Sequence, residues 1–269
     1  MTGNVLVTGA GSGIGAAAAA WFAAEGWSVT GVDIRETQLQ RALAGLSGTT
    51  EAVVADLADP RAPEQVVRDS WARTGPLDVI VNAAGIYPAR GYLDLDVDIW
   101  DQVQAVNVRA PMLTTRVFGE LCIAAGRTGS VVNISSGAAL RARHGAAHYC
   151  TSKAALEMLT KSAAVELGAA GIRVNAVSPG FVTVDSTANP VTEEYAAEVS
   201  ANPLGRRGRP GDIVAAVAWL SSAAAEWITG AVLRVDGGAS AGTTALPVHW
   251  PELTEVQSPT IGITKGDPL

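Results

Sequence analysis

Apolar residues in this chain come in short, nearly unbroken runs, and stretches with helical spacing of apolar positions lie between them. Runs of that kind read as strands covered on both faces, because a strand with one wet face would alternate residue by residue. They predict strands at 4–8, 28–33, 51–55, 78–82, 129–135, 171–177 and 231–235. The stretches between them predict helices at 14–26, 36–45, 61–74, 98–126, 148–169 and 211–222. Strands alternating with helices imply an α/β fold, a doubly wound parallel sheet in a single domain of about seven strands with helices on both faces. Right-handed crossovers place a ligand at the carboxyl edge of such a sheet.

Two segments break this rhythm. Residues 184–209 are long and polar, with Pro190 and Pro203 around a short helical piece at 192–200. A loop of that length is expected to cover or bind something. After Gly238 the chain continues to Leu269, interrupted by Pro247, Pro251, Pro259 and Pro268. The division expected is therefore one α/β domain over 1–240 and an extended arm over 241–269, anchored by Trp250 and packed on a neighbouring subunit.

The first strand runs straight into Gly9-Ala10-Gly11-Ser12-Gly13-Ile14-Gly15, and an alanine-rich helix follows. Strand, glycine turn, helix is the setting in which backbone N–H groups at a helix start cradle a pyrophosphate. Asp33 ends the second strand, eighteen residues after Gly15. A carboxylate there accepts hydrogen bonds from ribose hydroxyls and repels a 2′-phosphate, which favours NAD over NADP. Arg35 argues the other way, since a guanidinium can pair with that phosphate.

Tyr149 and Lys153 lie four residues apart, on one face of the helix predicted for them, and Ser136 precedes the tyrosine by thirteen. A free phenol ionises near pH ~10. A fixed ammonium beside it favours the phenolate, so the expectation is a lowered pKa and a proton acceptor usable near neutrality. Ser135 competes with Ser136 for the third place, and the spacing favours Ser136.

Together these strings resemble the short-chain dehydrogenase/reductase family of roughly 250 residues, over about residues 4–240. Thr8-Gly9-x-x-x-Gly13-Ile14-Gly15 resembles its cofactor turn, Asp56-Leu57 its adenine-side pair, and Asn82-Ala83-Ala84-Gly85 the turn after its fourth strand. Asn107, Ser136, Tyr149 and Lys153 match its catalytic set, and Asn175-Ala176-Val177-Ser178-Pro179-Gly180 its nicotinamide-side segment. Pro203-Leu204-Gly205-Arg206 and Val235-Asp236-Gly237-Gly238 match later landmarks.

The resemblance implies a Rossmann-like fold with NAD held by Gly9, Ser12, Gly13, Ile14, Gly15, Asp33, Ile34, Asp56, Leu57 and Asn82 to Gly85. At the nicotinamide end it implies Tyr149, Lys153, Pro179, Gly180, Phe181, Val182 and Thr183. It also implies an alcohol or ketone near Ser136, Ala138, Leu140, Tyr87 and Phe181, with 184–205 covering it. Tyr149 is then the acid/base, Lys153 holds the ribose, Ser136 binds the substrate oxygen, and Asn107 positions a relay water. One departure stands out. The family's carboxamide-holding threonine falls at Val184, with Thr183 one residue early. The helices 98–126 and 148–169 resemble those of the family's four-helix interface, which implies a homotetramer, or a dimer as the alternative.

Composition narrows the partners. The 269 residues hold 26 Asp plus Glu against 19 Lys plus Arg, a balance that argues against a nucleic-acid or anionic-membrane surface. Cys122 and Cys150 both fall in predicted helices and read as packing residues, which with no visible signal peptide suggests a cytoplasmic protein. Histidines at 144, 148 and 249 lack metal-site spacing, so no metal is expected. Arg90, Arg141, Arg143 and His144 could meet an anionic substrate group or simply be solvated. Three readings follow: an NAD-dependent oxidoreductase acting on a secondary alcohol or ketone, an NADPH-preferring biosynthetic ketoreductase, and a catalytically silent dinucleotide-sensing protein.

Overall fold

Seven parallel strands form one sheet in the order β3-β2-β1-β4-β5-β6-β7 in a computed structural model, which describes residues 3–184 and 192–242. The strands are β1 Asn4–Thr8, β2 Ser28–Asp33, β3 Thr50–Val54, β4 Val79–Asn82, β5 Gly129–Ile134, β6 Ile172–Pro179 and β7 Val232–Val235. The helices are α1 Gly13–Ala24, α2 Glu36–Leu43, α3 Ala62–Thr74, α4 Val97–Gln104, α5 Ala110–Ala124, α6 Ala147–Leu167, α7 Glu193–Val199 and α8 Pro210–Ser221. The doubly wound parallel sheet read from the sequence is therefore the fold.

Each strand sends alternate side chains into two separate cores. Val5, Val7, Val79, Val81, Val132 and Val177 pack under α1, α2 and α8, against Phe22, Leu39, Ile213 and Val217. Leu6, Ile80, Val131, Ile172 and Val174 face the other way, against Val66, Val117, Phe118 and Cys122 of α3 and α5. Both faces are dry, so the strands read as continuous apolar runs. Burying a side chain of this size contributes about 1.5–3 kcal/mol.

The direction of winding reverses between β1 and β4, which pair from Val5↔Val79 to Thr8↔Asn82. A crevice opens there at the carboxyl edge. Thr8 joins its two sides: its hydroxyl accepts from Ala83 N–H and Ala84 N–H, both at 3.1 Å. Beneath the crevice, Thr114, Asn82, Asn133 and Thr160 form a buried hydrogen-bonded chain with links of 2.9 Å. Every donor in that chain has an acceptor, which fixes the strand ends against α5 and α6.

The single helix expected over 98–126 is in fact two. A π-helical turn, Ala105–Arg109, separates α4 from α5 and carries Asn107 at its centre. Such turns add a residue to the helix without disturbing the apolar periodicity on either side, so the pattern gave no break. The arm at 243–269, with Trp250, lies outside the described residues, as do 185–191 of the loop expected over 184–209. Within the part described, the short helical piece is α7, capped by the Thr192 hydroxyl, which accepts from Tyr195 N–H at 3.3 Å.

Candidate active site

The glycine turn between β1 and α1 is built for close approach. Gly9 has φ +69°, and a Cβ there would lie 2.8 Å from the Ala84 backbone. At Gly15 a Cβ would fall 2.2 Å from the Gly9 carbonyl oxygen. Ser12 begins α1 with no side-chain cap, and the first turn carries no acidic residue. The helix start thus keeps its N–H groups and positive dipole end available to an anion. Gly13 and Ile14 belong to the same turn, and Val184 lies over it, since a Cβ on Gly13 would meet Val184 Cγ1 at 3.3 Å. These features fit a dinucleotide pyrophosphate.

Asp33 stands at the far end of that crevice, buried, and accepts from Gly11 N–H and Arg35 N–H, both at 3.0 Å. The Arg35 guanidinium reaches across to it at 3.4 Å and donates to the Ser12 hydroxyl at 3.0 Å. So the two residues that argue for opposite cofactors are joined to each other. Ile34 is largely exposed beside them, while Leu57 is buried. Asp56 accepts from Ala58 N–H at 2.9 Å and shapes its own turn. Arg109, at the end of the π turn, donates to the Ala58 carbonyl and ties this adenine-side loop to the helix that carries Asn107.

At the other end of the crevice α6 brings Tyr149 and Lys153 to the carboxyl edge of β5. Lys153 is buried, and its ammonium donates to the Ile134 carbonyl at 2.8 Å. It lies 5.8 Å from the Tyr149 ring centroid. Burial pulls the Lys153 pKa down to about 8. Burial also pushes Tyr149 up to about 12, against the opposing pull of the Ser136 hydrogen bond. The lowered phenol pKa expected from the sequence is therefore reversed. The ammonium is committed to a carbonyl, and desolvation of the phenolate outweighs the other influences on the phenol.

Ser136 ends the β5 extension and starts a one-turn 3-10 helix, Gly137–Ala139, where its hydroxyl accepts from Ala138 N–H at 3.2 Å. Ser135 faces the opposite side and donates to Glu157 at 2.8 Å. Ser136, and not Ser135, thus shares a hydrogen bond with Tyr149. Asn107 is fully buried: its amide donates to the Ile86 carbonyl and the Ser152 hydroxyl and accepts from Ile86 N–H. That leaves its backbone, or the second lone pair of its side-chain oxygen, for any water. Gly85 sits at the meeting point, where a Cβ would come 3.4 Å from Asn107 Oδ1 and 3.5 Å from Lys153 Nζ.

Three residues in this constellation act through contacts that the sequence did not show. Ser152 bridges the Asn107 amide and the Tyr149 carbonyl at 3.0 and 2.8 Å. His148 contacts the Pro88 carbonyl through Nε2 at 2.7 Å and pins the loop that carries Tyr87. Thr8 anchors the Ala83-Ala84 turn. Each lies next to a motif residue, and its role depends on contacts distant in the chain.

Of the expected substrate residues, Tyr87 stacks at a tilt on Tyr149, with ring centroids 5.3 Å apart. Ala138 is buried under the serine turn, and Leu140 is half exposed. Phe181 follows Pro179-Gly180 and lies 5.9 Å below the Arg207 guanidinium. Val182 bridges to Gly208, and Thr183 N–H donates to the Gly208 carbonyl at 3.0 Å, so the backbone of this segment is fixed. Among the described residues no group of His, Cys, Asp or Glu could hold a metal, and no helix is long and apolar enough to cross a membrane.

The family model described as enoyl-(acyl carrier protein) reductase matches residues 9–240. Galactitol 2-dehydrogenase (L-tagatose-forming) of Cereibacter sphaeroides is 38% identical over 237 residues, covering 86% of this chain and 92% of the relative. L-rhamnose 1-dehydrogenase (NAD(P)(+)) of Azotobacter vinelandii (strain DJ) is 36% identical over 244 residues, covering 87% and 95%. The structure of 4-hydroxyisoleucine dehydrogenase complexed with NADH superposes with a TM-score of 0.83 at 31% identity, over 90% of this chain and 100% of that one. The chain belongs to the short-chain dehydrogenase/reductase family.

Proposed function

We propose that this protein transfers a hydride between NAD(H) and a secondary alcohol or ketone, with Tyr149 as general acid/base. The observation that carries the reading is the convergence of Ser136, Tyr149 and Lys153 on the end of the crevice opposite Asp33. When bound, the dinucleotide supplies the hydride chemistry and, in its oxidised form, a positive charge that favours the phenolate. The glycine turn from Gly9 to Gly15 would hold its pyrophosphate and Asp33 its adenosine ribose. Lys153 would hold the nicotinamide ribose, and the backbone from Pro179 to Thr183 the carboxamide.

For ketone reduction, Tyr149 stands ready as a neutral phenol, since its pKa lies well above neutrality. Its proton goes to the substrate oxygen as hydride reaches the carbonyl carbon. Ser136 donates to the same oxygen and stabilises the charge that develops there. For alcohol oxidation the phenolate takes the hydroxyl proton. Lys153, with a pKa near 8, and the Asn107 turn lie where that proton could pass on to water. Thr183, fixed by its backbone, takes the carboxamide role here, and Val184 closes over the phosphate turn.

The Asp33 carboxylate favours NAD, and Arg35 keeps NADP as the weaker alternative. Exposed Ile123 on α5 and Met158 and Val165 on α6 support a homotetramer built on those helices. A panel of secondary alcohols, sugars and hydroxy acids, assayed with each cofactor by the absorbance of the reduced nicotinamide, tests the proposal. Turnover with NAD at least roughly tenfold more efficient than with NADP is expected. Turnover with neither cofactor across the panel would remove it.

A further inference from the structure

Two loops frame the mouth of the site beside Tyr149. One runs from Ala83 to Leu93, the other from Gly137 to Ala147, and Arg90 N–H donates to the Gly145 carbonyl at 2.9 Å to join them. The protein is acidic, with net charge −7, yet these two loops carry Arg90, Arg141, Arg143 and His144; Asp94 closes the first loop against Gly91, and the second loop holds no carboxylate. Nor does a carboxylate occur in the first turn of α6, which has no side-chain cap either.

The three arginines are not equivalent. Arg141 donates to the Ala239 carbonyl at 3.1 Å, which straps its loop to the turn after β7. Arg90 folds back on the Ala89 carbonyl at 3.2 Å. Arg143 is exposed, and its guanidinium has no hydrogen bond or ion pair among the described residues. Its backbone carbonyl accepts from Ala146 N–H at 3.2 Å, which sets it directly before α6 and the catalytic tyrosine. It is close enough to stabilise the Tyr149 phenolate. Of the two acidic residues in the first turn of α7, Glu193 and Glu194, the first pairs with Arg207 at 2.5 Å.

We infer that Arg143 is a specificity residue that binds an anionic group, a carboxylate or a phosphate, on the substrate beside the reacting carbon. The substrate is then a hydroxy or keto acid, or a phosphorylated alcohol, and not a neutral alcohol or unmodified sugar. A guanidinium presents paired N–H donors that match either anion in a bidentate fashion. The start of α6 adds favourable potential for the same charge.

This inference rests on the proposed reaction, and the test separates the two. Wild-type enzyme and Arg143→Gln are assayed on 2-butanol, 3-hydroxybutyrate and a phosphorylated secondary alcohol. The expected result is an anionic substrate favoured by wild type, with the ratio of kcat/KM for anionic over neutral falling roughly 10- to 100-fold in the variant. The loss is carried mainly by KM, and Arg143→Lys restores part of it. The two anionic arms say whether carboxylate or phosphate is preferred. An unchanged ratio would overturn the inference, because a mere effect on the phenol lowers both classes together. Titration of malonate into the NADH complex gives a readout without turnover. Malonate binding that needs Arg143 supports the inference even if no alcohol reacts, whereas turnover of neutral alcohols with no malonate binding overturns it and leaves the proposed reaction standing.

Discussion

The two ends of the crevice are made of different material. At the proposed phosphate end the working groups are backbone: glycines with no side chain to obstruct and an uncapped helix start, in a turn that Thr8 and Asp33 hold in place. At the nicotinamide end they are side chains, namely Ser136, Tyr149, Lys153 and Asn107, buried or half-buried and held by neighbours distant in sequence. The first end tolerates almost no change in shape. The second tolerates changes in shape but not in proton-bearing groups. Damage to the phosphate end should therefore appear in cofactor affinity, and damage to the nicotinamide end in turnover.

The largest departure expected under that contrast comes from Lys153→Met. Turnover should fall roughly 100-fold or more, with cofactor affinity much less affected, as measured by steady-state kinetics and NADH fluorescence titration. The same variant carries a stability signature. Lys153 has its folded pKa held near 8, below the unfolded value near ~10.4, so the unfolded chain binds more protons between those limits. This group alone should thus raise the stability of the wild type from pH 8 to about 10, by up to about 3 kcal/mol. Cys122, raised to about 11, and Tyr149, raised to about 12, add the opposite slope, the thiol from pH ~9 and the phenol from pH ~10. Denaturant titrations across this range should show the lysine's rise in wild type, superposed on the Cys122 and Tyr149 slopes, and its absence in Lys153→Met. A rise that persists unchanged would mean that the lysine is not the buried cation described.

Gly15→Ala comes next. Its Cβ must displace the Gly9 carbonyl, a backbone atom, and overpacking of this kind costs about 1–3 kcal/mol. Cofactor affinity should weaken roughly 10- to 100-fold while kcat at saturating cofactor changes little. A fall in kcat with affinity intact would erase the distinction between the two ends.

Asp33→Ala is the smallest. It removes the acceptor for Gly11 N–H and Arg35 N–H and releases Arg35 toward a 2′-phosphate. The ratio of kcat/KM for NADP over NAD should rise about tenfold, at a stability cost of about 1–3 kcal/mol for the orphaned donors. A ratio that stays put would show that Asp33 serves only to shape the glycine turn.

The same contrast explains what the sequence made legible. Strand positions and the glycine turn follow from burial on both faces and from backbone geometry, and both leave local marks: β2 runs over Ser28–Asp33 as read, and β1 over Asn4–Thr8. Tyr149 and Lys153 were legible because helical spacing puts them on one face. The π turn around Asn107 was not, since one extra residue per turn leaves the apolar pattern intact. Nor was the direction of the phenol's shift. Spacing placed the ammonium near the tyrosine but could not say that it would be spent on Ile134, nor how dry the phenol would be. Ser152 and His148 were invisible for a related reason, because their partners Asn107 and Pro88 are brought to them only by folding.

The most direct measurement is Tyr149→Phe, assayed for NADH binding by fluorescence and for turnover on the best alcohol found. The variant keeps the ring that packs on Tyr87 and loses only the hydroxyl. Cofactor affinity within about threefold of wild type, with turnover lowered by roughly 100- to 10,000-fold, is the outcome the account requires. Turnover retained within tenfold would contradict it, because proton transfer would then run through some other group.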